Sequence, residues 1–321
     1  MKTIVGIDVS KRTVDVAIPN GKRFKLTHYP HNDATTAEAI LADLPTRDIH
    51  VVLEATGSYS LQLASSFYQE GIAISLVNPL RIKLFGKMRL QRAKTDRYDA
   101  RLICQYGQAE QPLLWSPRPP EQEQLRQVVK AIEDLQVLRT EVTNRQEAAE
   151  PLPVKSAVCQ QAHQSLLDTL DQQLASLEAE MLRLAKLAAG ESFRLLNTIK
   201  GIGKTTASAL IALCGSFEGF ETAAQVVAFA GLNPSPYQSG TSVRGRGGIS
   251  KRGHGTLRRL LYMGAMSAMR FNPMCKALYE RLIAQGKPKK VAQIAVAHKL
   301  LRIAFGVVKG GKSFDPNYAK T

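Results

Sequence analysis

Apolar and polar positions change their period along the chain. Up to about residue 80 the apolar runs are short and β-branched: residues 2–9 (apolar core Thr3–Val9, TIVGIDV), 14–18, Arg23–Thr27, Ile49–Glu54 (IHVVLE) and Ile72–Val77. Ser10-Lys11-Arg12-Thr13 separates the first two, and Asn20-Gly21 is a hairpin turn into the third. Asn32 or Asp33 is placed to cap a helix reaching about Leu44. Ser58–Gln69 has helical spacing with Gly71 as its stop, and Asn78-Pro79 closes the fifth strand. Helices are expected over about Arg81–Met88 and Asp96–Tyr106. This order predicts an α/β unit with a mixed sheet, in which the first and fourth strands are neighbours.

The period then lengthens. Beyond the prolines of Trp115–Pro120, Leu125, Val128, Ile132, Leu135, Leu138 and Val142 recur at three and four. Pro151 and Pro153 interrupt, and Leu167, Leu170, Leu174, Leu177, Met181 and Leu184 continue as a cleaner heptad. A coiled coil that joins two copies of the chain is the favoured reading; an arm packing on itself is the alternative. Leu195–Leu213 (LLNTIKGIGKTTASALIAL) predicts two helices joined at Gly201-Ile202-Gly203. Gly203-Lys204-Thr205 imitates the end of a nucleotide-binding P-loop, but Thr198 stands where its first glycine belongs. Phe217–Phe229, Leu257–Met269 and Val291–Val308 are expected helices, with Tyr262, Met263 and Met266 in the core. The resulting division is 1–115 for the α/β domain, 116–190 for the helical segment and 191–321 for a mainly α domain.

Charge adds a direction. The 321 residues carry a net +16, and Gly240–Thr321 holds 17 Lys and Arg against Glu280 and Asp315. So one-sided a field attracts phosphate backbones. Between Glu121 and Glu191, 12 acids face seven basic residues, so that stretch is not the phosphate-binding surface. Cys104, Cys159, Cys214 and Cys275 form no CxxC, which argues against zinc and a disulfide framework. No apolar signal core or membrane-length run is evident, and a cytoplasmic location is expected.

Four acids carry the candidate chemistry. Asp8 lies on the first strand and Glu54 ends the fourth; Asp96 and Asp99, in KTDRYDAR, share a helix face at i, i+3. Carboxylates that close call for a cation between them, and Mg2+ takes such oxygen donors while bridging phosphates. Nearby Arg81, Lys83, Lys87, Arg89, Arg92, Lys94, Arg97 and Arg101 suit a nucleic-acid strand. The turn Gly201–Gly203 with Lys204 and Thr205 offers backbone amides to a phosphate, in the manner of a helix-hairpin-helix. The glycine-rich loop Tyr237–Arg259 adds Arg244, Arg246, Lys251, Arg252, Arg258 and Arg259. Ser239 in that loop is either a phosphate hydrogen-bond donor or a nucleophile.

The blocks GIDVSK, LEATGSY, KTDRYDAR, IKGIGKTTA, FAGLNPSPYQSGTSVRG and GHGTLRRLLY together resemble the insertion-sequence transposases with an N-terminal RuvC-like DEDD domain, relatives of the Piv-type invertases. The resemblance spans nearly the whole chain. It implies a ribonuclease-H/RuvC-like fold for the first domain and Mg2+ on Asp8, Glu54, Asp96 and Asp99. It makes Ser239 of Tyr-Gln-Ser-Gly the nucleophile, with Thr241 and Ser242 close by. It further implies donor and target DNA as partners, a guide (bridge) RNA, and a homo-oligomer, dimer or tetramer, with Ser239 supplied by a partner subunit. The implied activity is DNA cutting and rejoining through a phosphoserine. The main rival is a RuvC-like nuclease in which water attacks. A non-catalytic assembly protein leaves the acids unexplained, and an actin-like or sugar kinase, suggested by GIDVSK, lacks a second phosphate loop.

Overall fold

The computed structural model describes residues 2–33, 35–44, 46–89, 96–235, 238–239, 243–244 and 248–317. Lys94, Arg246, Thr241 and Ser242 lie outside the described residues; Asp96, Arg97, Ser239 and Arg244 are described as backbone alone. The chain forms two compact units, Met1–Pro117 and Arg118–Thr321.

The first unit contains β1 (Thr3–Val9), β2 (Val14–Asn20), β3 (Arg23–Tyr29), α1 (Thr36–Ala42), β4 (Ile49–Glu54), α2 (Ser58–Gln69), β5 (Ala73–Val77), α3 (Pro79–Met88) and α4 (Asp96–Glu110). The sheet order is β3-β2-β1-β4-β5, with β1 antiparallel to β2 and parallel to β4, a mixed sheet in which β1 and β4 are the expected neighbours. Alternation decides the two faces. Val5, Ile7, Val9, Val14, Val16, Ile18, Val51 and Leu53 bury one face against Ile40, Leu63 and Phe67 of α1 and α2. The opposite face receives α4. Helix α1 starts later than expected. Asp33 does not cap it: its carboxylate accepts from Thr35 N at 2.9 Å and Thr35 Oγ1 at 2.7 Å, closing a local turn instead.

The second unit is helical: α5 (Pro120–Ala149), α6 (Ala157–Asn197), α7 (Lys204–Cys214), α8 (Ala223–Ala230), α9 (Gly255–Phe271), α10 (Pro273–Ala284) and α11 (Lys289–Gly310). Four two-residue strands lie between α8 and α9: β6 (Pro234–Ser235), β7 (Gln238–Ser239), β8 (Val243–Arg244) and β9 (Gly248–Ile249). Within the chain the two heptads meet each other, as in the self-packing alternative. Val142 packs with Leu167 and Leu170, and Leu125, Val129 and Ile132 join Leu174, Met181 and Leu184 in one core. Arg139 and Asp171 pair across the same hairpin. The break at Pro151 and Pro153 is short, so α5 finds its apolar partner within its own chain.

Three further expectations are corrected. Phe217 has φ +63° and the helix begins only at Ala223, because Thr222 and Gln225 form a reciprocal capping box there. Met263 and Met266 are 57% and 42% exposed; Leu257, Leu261, Ala265 and Ala268 are the face α9 turns inward. Among the described residues one helix, α11, is long and apolar enough to cross a membrane. Counting uninterrupted apolar residues missed it, because Lys299 and Arg302 punctuate the run. Its Val296, Leu300, Leu301 and Ala304 are packed in the core of the second unit.

Candidate active site

The acids of the first unit are positioned by how α4 is seated. Gly6 leaves room for it: a Cβ there would lie 2.6 Å from Cys104 Cα and closer still to Cys104 N and Ala100 O. Farther along, a Cβ at Gly107 would meet Ile4 at 2.7 Å and Val52 at 2.8 Å. The Cys104 thiol donates to Ile4 O at 3.2 Å, and burial pushes it up to about 12. Rising residue numbers on α4 thus meet falling numbers on β1. The helix runs antiparallel to the strand, and its first turn, with Asp96 and Asp99, extends past Gly6 toward Asp8.

Register places Asp8 and Glu54 level. The parallel pairing proceeds Val5↔Val51, Gly6↔Val52, Ile7↔Leu53, and Asp8 and Glu54 are the next residue on each strand. Asp8 shares the face of Gly6, and Glu54 that of Val52, which is the face α4 covers. Asp8, Glu54 and Asp99 are all half-buried. The strand ends are tied together: Ala55 N donates to Val77 O at 2.9 Å and Thr56 Oγ1 to Val9 O at 3.3 Å. Asp8, Glu54 and the first turn of α4 therefore gather at one end of one sheet face. The donors are all carboxylates, the chemistry a hard cation takes. Among the described residues, no three Asp, Glu, His or Cys side chains are grouped tightly enough to hold a metal ion.

Two residues on this face escaped the sequence reading. Asp15 on β2 is directly opposite Asp8, and His28 on β3 is directly opposite Asp15. His28 Nδ1 lies 3.1 Å from Asp15 Oδ1, with the Asp15 side chain 7% exposed and His28 42% exposed. Glu54, Asp8, Asp15 and His28 consequently form one row across β4, β1, β2 and β3. The expected Asn20-Gly21 turn would have paired Asp15 with Leu26; the loop is instead Gly21-Lys22, which pairs Asn20 with Arg23 and Asp15 with His28. Nearby, the Arg101 guanidinium lies over the rings of Phe24 (5.1 Å) and Tyr98 (5.8 Å).

In the second unit, the turn after α6 has the expected geometry. Gly201 takes φ +104°, Gly203 is the N-cap of α7, and Gly203, Lys204 and Thr205 are exposed. What precedes α7 is a helix, unlike the strand before a P-loop. The turn is held from behind: a Cβ on Gly201 would sit 2.6 Å from the Ala268 Cβ of α9, and Asn272 Nδ2 donates to Lys200 O at 3.2 Å. Ser239 pairs with Val243, and Gln238 with Arg244, in a short antiparallel ribbon. Lys251 and Arg252 are exposed, with Lys251 at φ +52°. Arg259 is exposed on α9, whereas Arg258 is engaged internally, Nη1 donating to Ala230 O and Gly253 O at 3.0 Å each.

Comparison with known proteins agrees across both units. A transposase model of the IS110 DEDD type matches residues 5–149, and one described as "Transposase IS116/IS110/IS902 family" matches residues 193–280. The "Pilin gene-inverting protein" of Moraxella lacunata is 31% identical over 322 residues, covering 98% of each chain, and that of Moraxella bovis is equally similar. The "Transposase for insertion sequence element IS1111A" of Coxiella burnetii is 26% identical over 78% of this chain and 74% of its own.

Proposed function

The chain belongs to the IS110 family of transposases, enzymes that act on DNA, and from that premise we propose that it cuts and rejoins DNA through a covalent phosphoserine, with Asp8, Glu54, Asp96 and Asp99 as the acidic centre and Ser239 as the nucleophile. The observation that carries the acidic centre is the seating of α4, which directs its first turn to the level of Asp8 and Glu54. Under this reading the first unit is RuvC-like, and Mg2+ on the four carboxylates supplies neutralisation of charge at the scissile phosphate. The Ser239 oxygen forms a bond to phosphorus as one phosphorus–oxygen bond of the DNA strand breaks, and the proton that the serine hydroxyl gives up ends on the released DNA oxygen. The bond energy is conserved in the phosphoserine, so a second DNA end reverses the step without ATP. Lys204, Thr205, Lys251, Arg252 and Arg259, with the amides at the start of α7, grip the phosphate backbone. A guide RNA on the basic second unit and assembly as a dimer or tetramer belong to the same proposal. Of the relatives mentioned above, two are named for gene inversion and one for transposition, and this chemistry serves both.

The test is a cleavage assay with Mg2+, end-labelled DNA carrying the element's junction, and RNA transcribed from its flanks, resolved under denaturing conditions. A protein–DNA adduct is expected from the native protein and none from Ser239→Ala. Cleavage that persists without adduct in both overturns the serine mechanism and assigns the attack to water.

A further inference from the structure

The row of polar side chains on the α4 face does not stop at the acids. Asp15 is nearly sealed from solvent, and its carboxylate meets the His28 ring at 3.1 Å. A carboxylate so placed beside Asp8 calls for a cation or a donor. The ring that answers it stands on β3, an edge strand of the sheet, with 42% of its side chain exposed. With Nδ1–H donated to Asp15, a protonated imidazole has its Nε2–H left to donate. Adjacent strands are about 4.8 Å apart, so His28 stands roughly 10 Å from Asp8 along the row. At a rise of about 3.4 Å per nucleotide along one strand, that span is about three nucleotides, so a phosphate near the one at the acidic centre reaches His28. A second cation accompanies it on this side of α4: the Arg101 guanidinium carbon lies over the Phe24 ring of β3 at 5.1 Å, and its Nε is buried without a hydrogen-bond partner among the described residues.

We propose that the Asp15–His28 pair is a phosphate-positioning subsite, where His28, oriented by Asp15, binds a backbone phosphate flanking the one at the acidic centre and so sets the register of the DNA strand. The proposal rests on the acidic-centre reading above and adds the direction in which the strand leaves it: across β2 onto β3. His28 is a positioning residue; it touches the strand and not the reacting atoms. Asp15 acts through His28, fixing the ring's rotamer and the nitrogen that faces outward.

The experiment measures binding of the full chain to junction DNA, with its flank RNA, against salt concentration, using Ca2+ in place of Mg2+, and cleavage in parallel with Mg2+. Losing one phosphate contact lowers the slope of log K against log salt by about 0.9 for duplex and about 0.7 for single-stranded DNA. His28→Ala is expected to show that decrease, His28→Lys to restore it, and Asp15→Asn to weaken binding and scatter the cleavage position. A merely structural pair would give the same slope in His28→Ala and no rescue by lysine. An unchanged slope in His28→Ala, with Asp8→Asn inactive, overturns the subsite and leaves the acidic centre standing. Cleavage retained in Asp8→Asn overturns the acidic centre and this subsite together.

Discussion

Replacing Gly6 by alanine tests whether the seating of α4 delivers the carboxylates. Nothing else about the strand changes, since alanine is accepted in extended backbone. The added Cβ falls 2.6 Å from Cys104 Cα and nearer to two backbone atoms of α4. Those neighbours are backbone, so no side-chain rotation relieves the overlap. Restoring ordinary contact requires the helix to retreat by roughly 1 Å, and inserting one carbon into a close-packed interface costs about 1–3 kcal/mol. The same 1 Å moves the first turn of α4 away from Asp8, and displacements of that size cost on the order of 100-fold in rate. Gly107→Ala is the control. It meets Ile4 and Val52 side chains at 2.7 and 2.8 Å, two helical turns farther from the acids, and it disturbs packing there without levering the first turn. The assay compares urea midpoints with cleavage rates for both variants. Gly6→Ala is expected to lose far more activity than Gly107→Ala for a similar loss of stability. Equal activity losses at matched stability, or native cleavage by Gly6→Ala, would refute the argument that helix seating places the acids.

Two other predictions follow from the fold. Thr256 is 7% exposed and donates to Glu133 Oε1 at 2.9 Å and Oε2 at 2.8 Å, joining α9 to α5; Thr256→Val is expected to cost about 1.5–3 kcal/mol, seen as a lower urea midpoint at unchanged m-value. Burial lowers the pKa of His50, with Lys2 adding to the effect, and burial likewise lowers His254 and His298. Each is thus favoured neutral in the folded chain, so on acidification the unfolded chain takes up the proton first. Stability should be fully present above the ordinary histidine value of about 6.5 and fall as pH drops below it toward the lowered folded values. What lowers His50 is burial and Lys2, since its hydrogen bond is one that either protonation state of the ring can make. Its Nε2 lies 2.8 Å from Ser75 Oγ, whose single proton is directed to the carbonyls of Pro112 and Leu113. A thermal midpoint that is flat from pH 7 to pH 5 would contradict this, and His50→Gln should reduce the slope.

What the sequence revealed and what it hid divide along the range of the interaction. The five strands were legible because alternation and turn residues are local, although the hairpin loop is Gly21-Lys22, one residue later than the Asn20-Gly21 turn expected. The neighbouring of β1 and β4 followed from strand order, and the observed register then set Asp8 and Glu54 level. The heptads of α5 and α6 were equally visible, but a heptad states only that a face wants a partner. Whether Leu167 meets Val142 of its own chain or of another depends on how tightly the connection turns, which periodicity does not encode. Asp15 was hidden for a related reason. On one strand it reads as a solvated polar residue between valines; its meaning comes from standing opposite Asp8 on one side and His28 on the other. Gly6 was quoted within GIDVSK for resemblance alone, yet its physical role is the absence of a side chain where α4 crosses. A residue that works by leaving space shows itself only when the neighbour that fills the space is in place. The proposed site therefore depends on pairings that no single strand displays: Asp8 meets Asp15 across a hairpin, and Gly6 meets Ala100 and Cys104 from far along the chain. A substitution at either member of a pair should reach the chemistry through its partner.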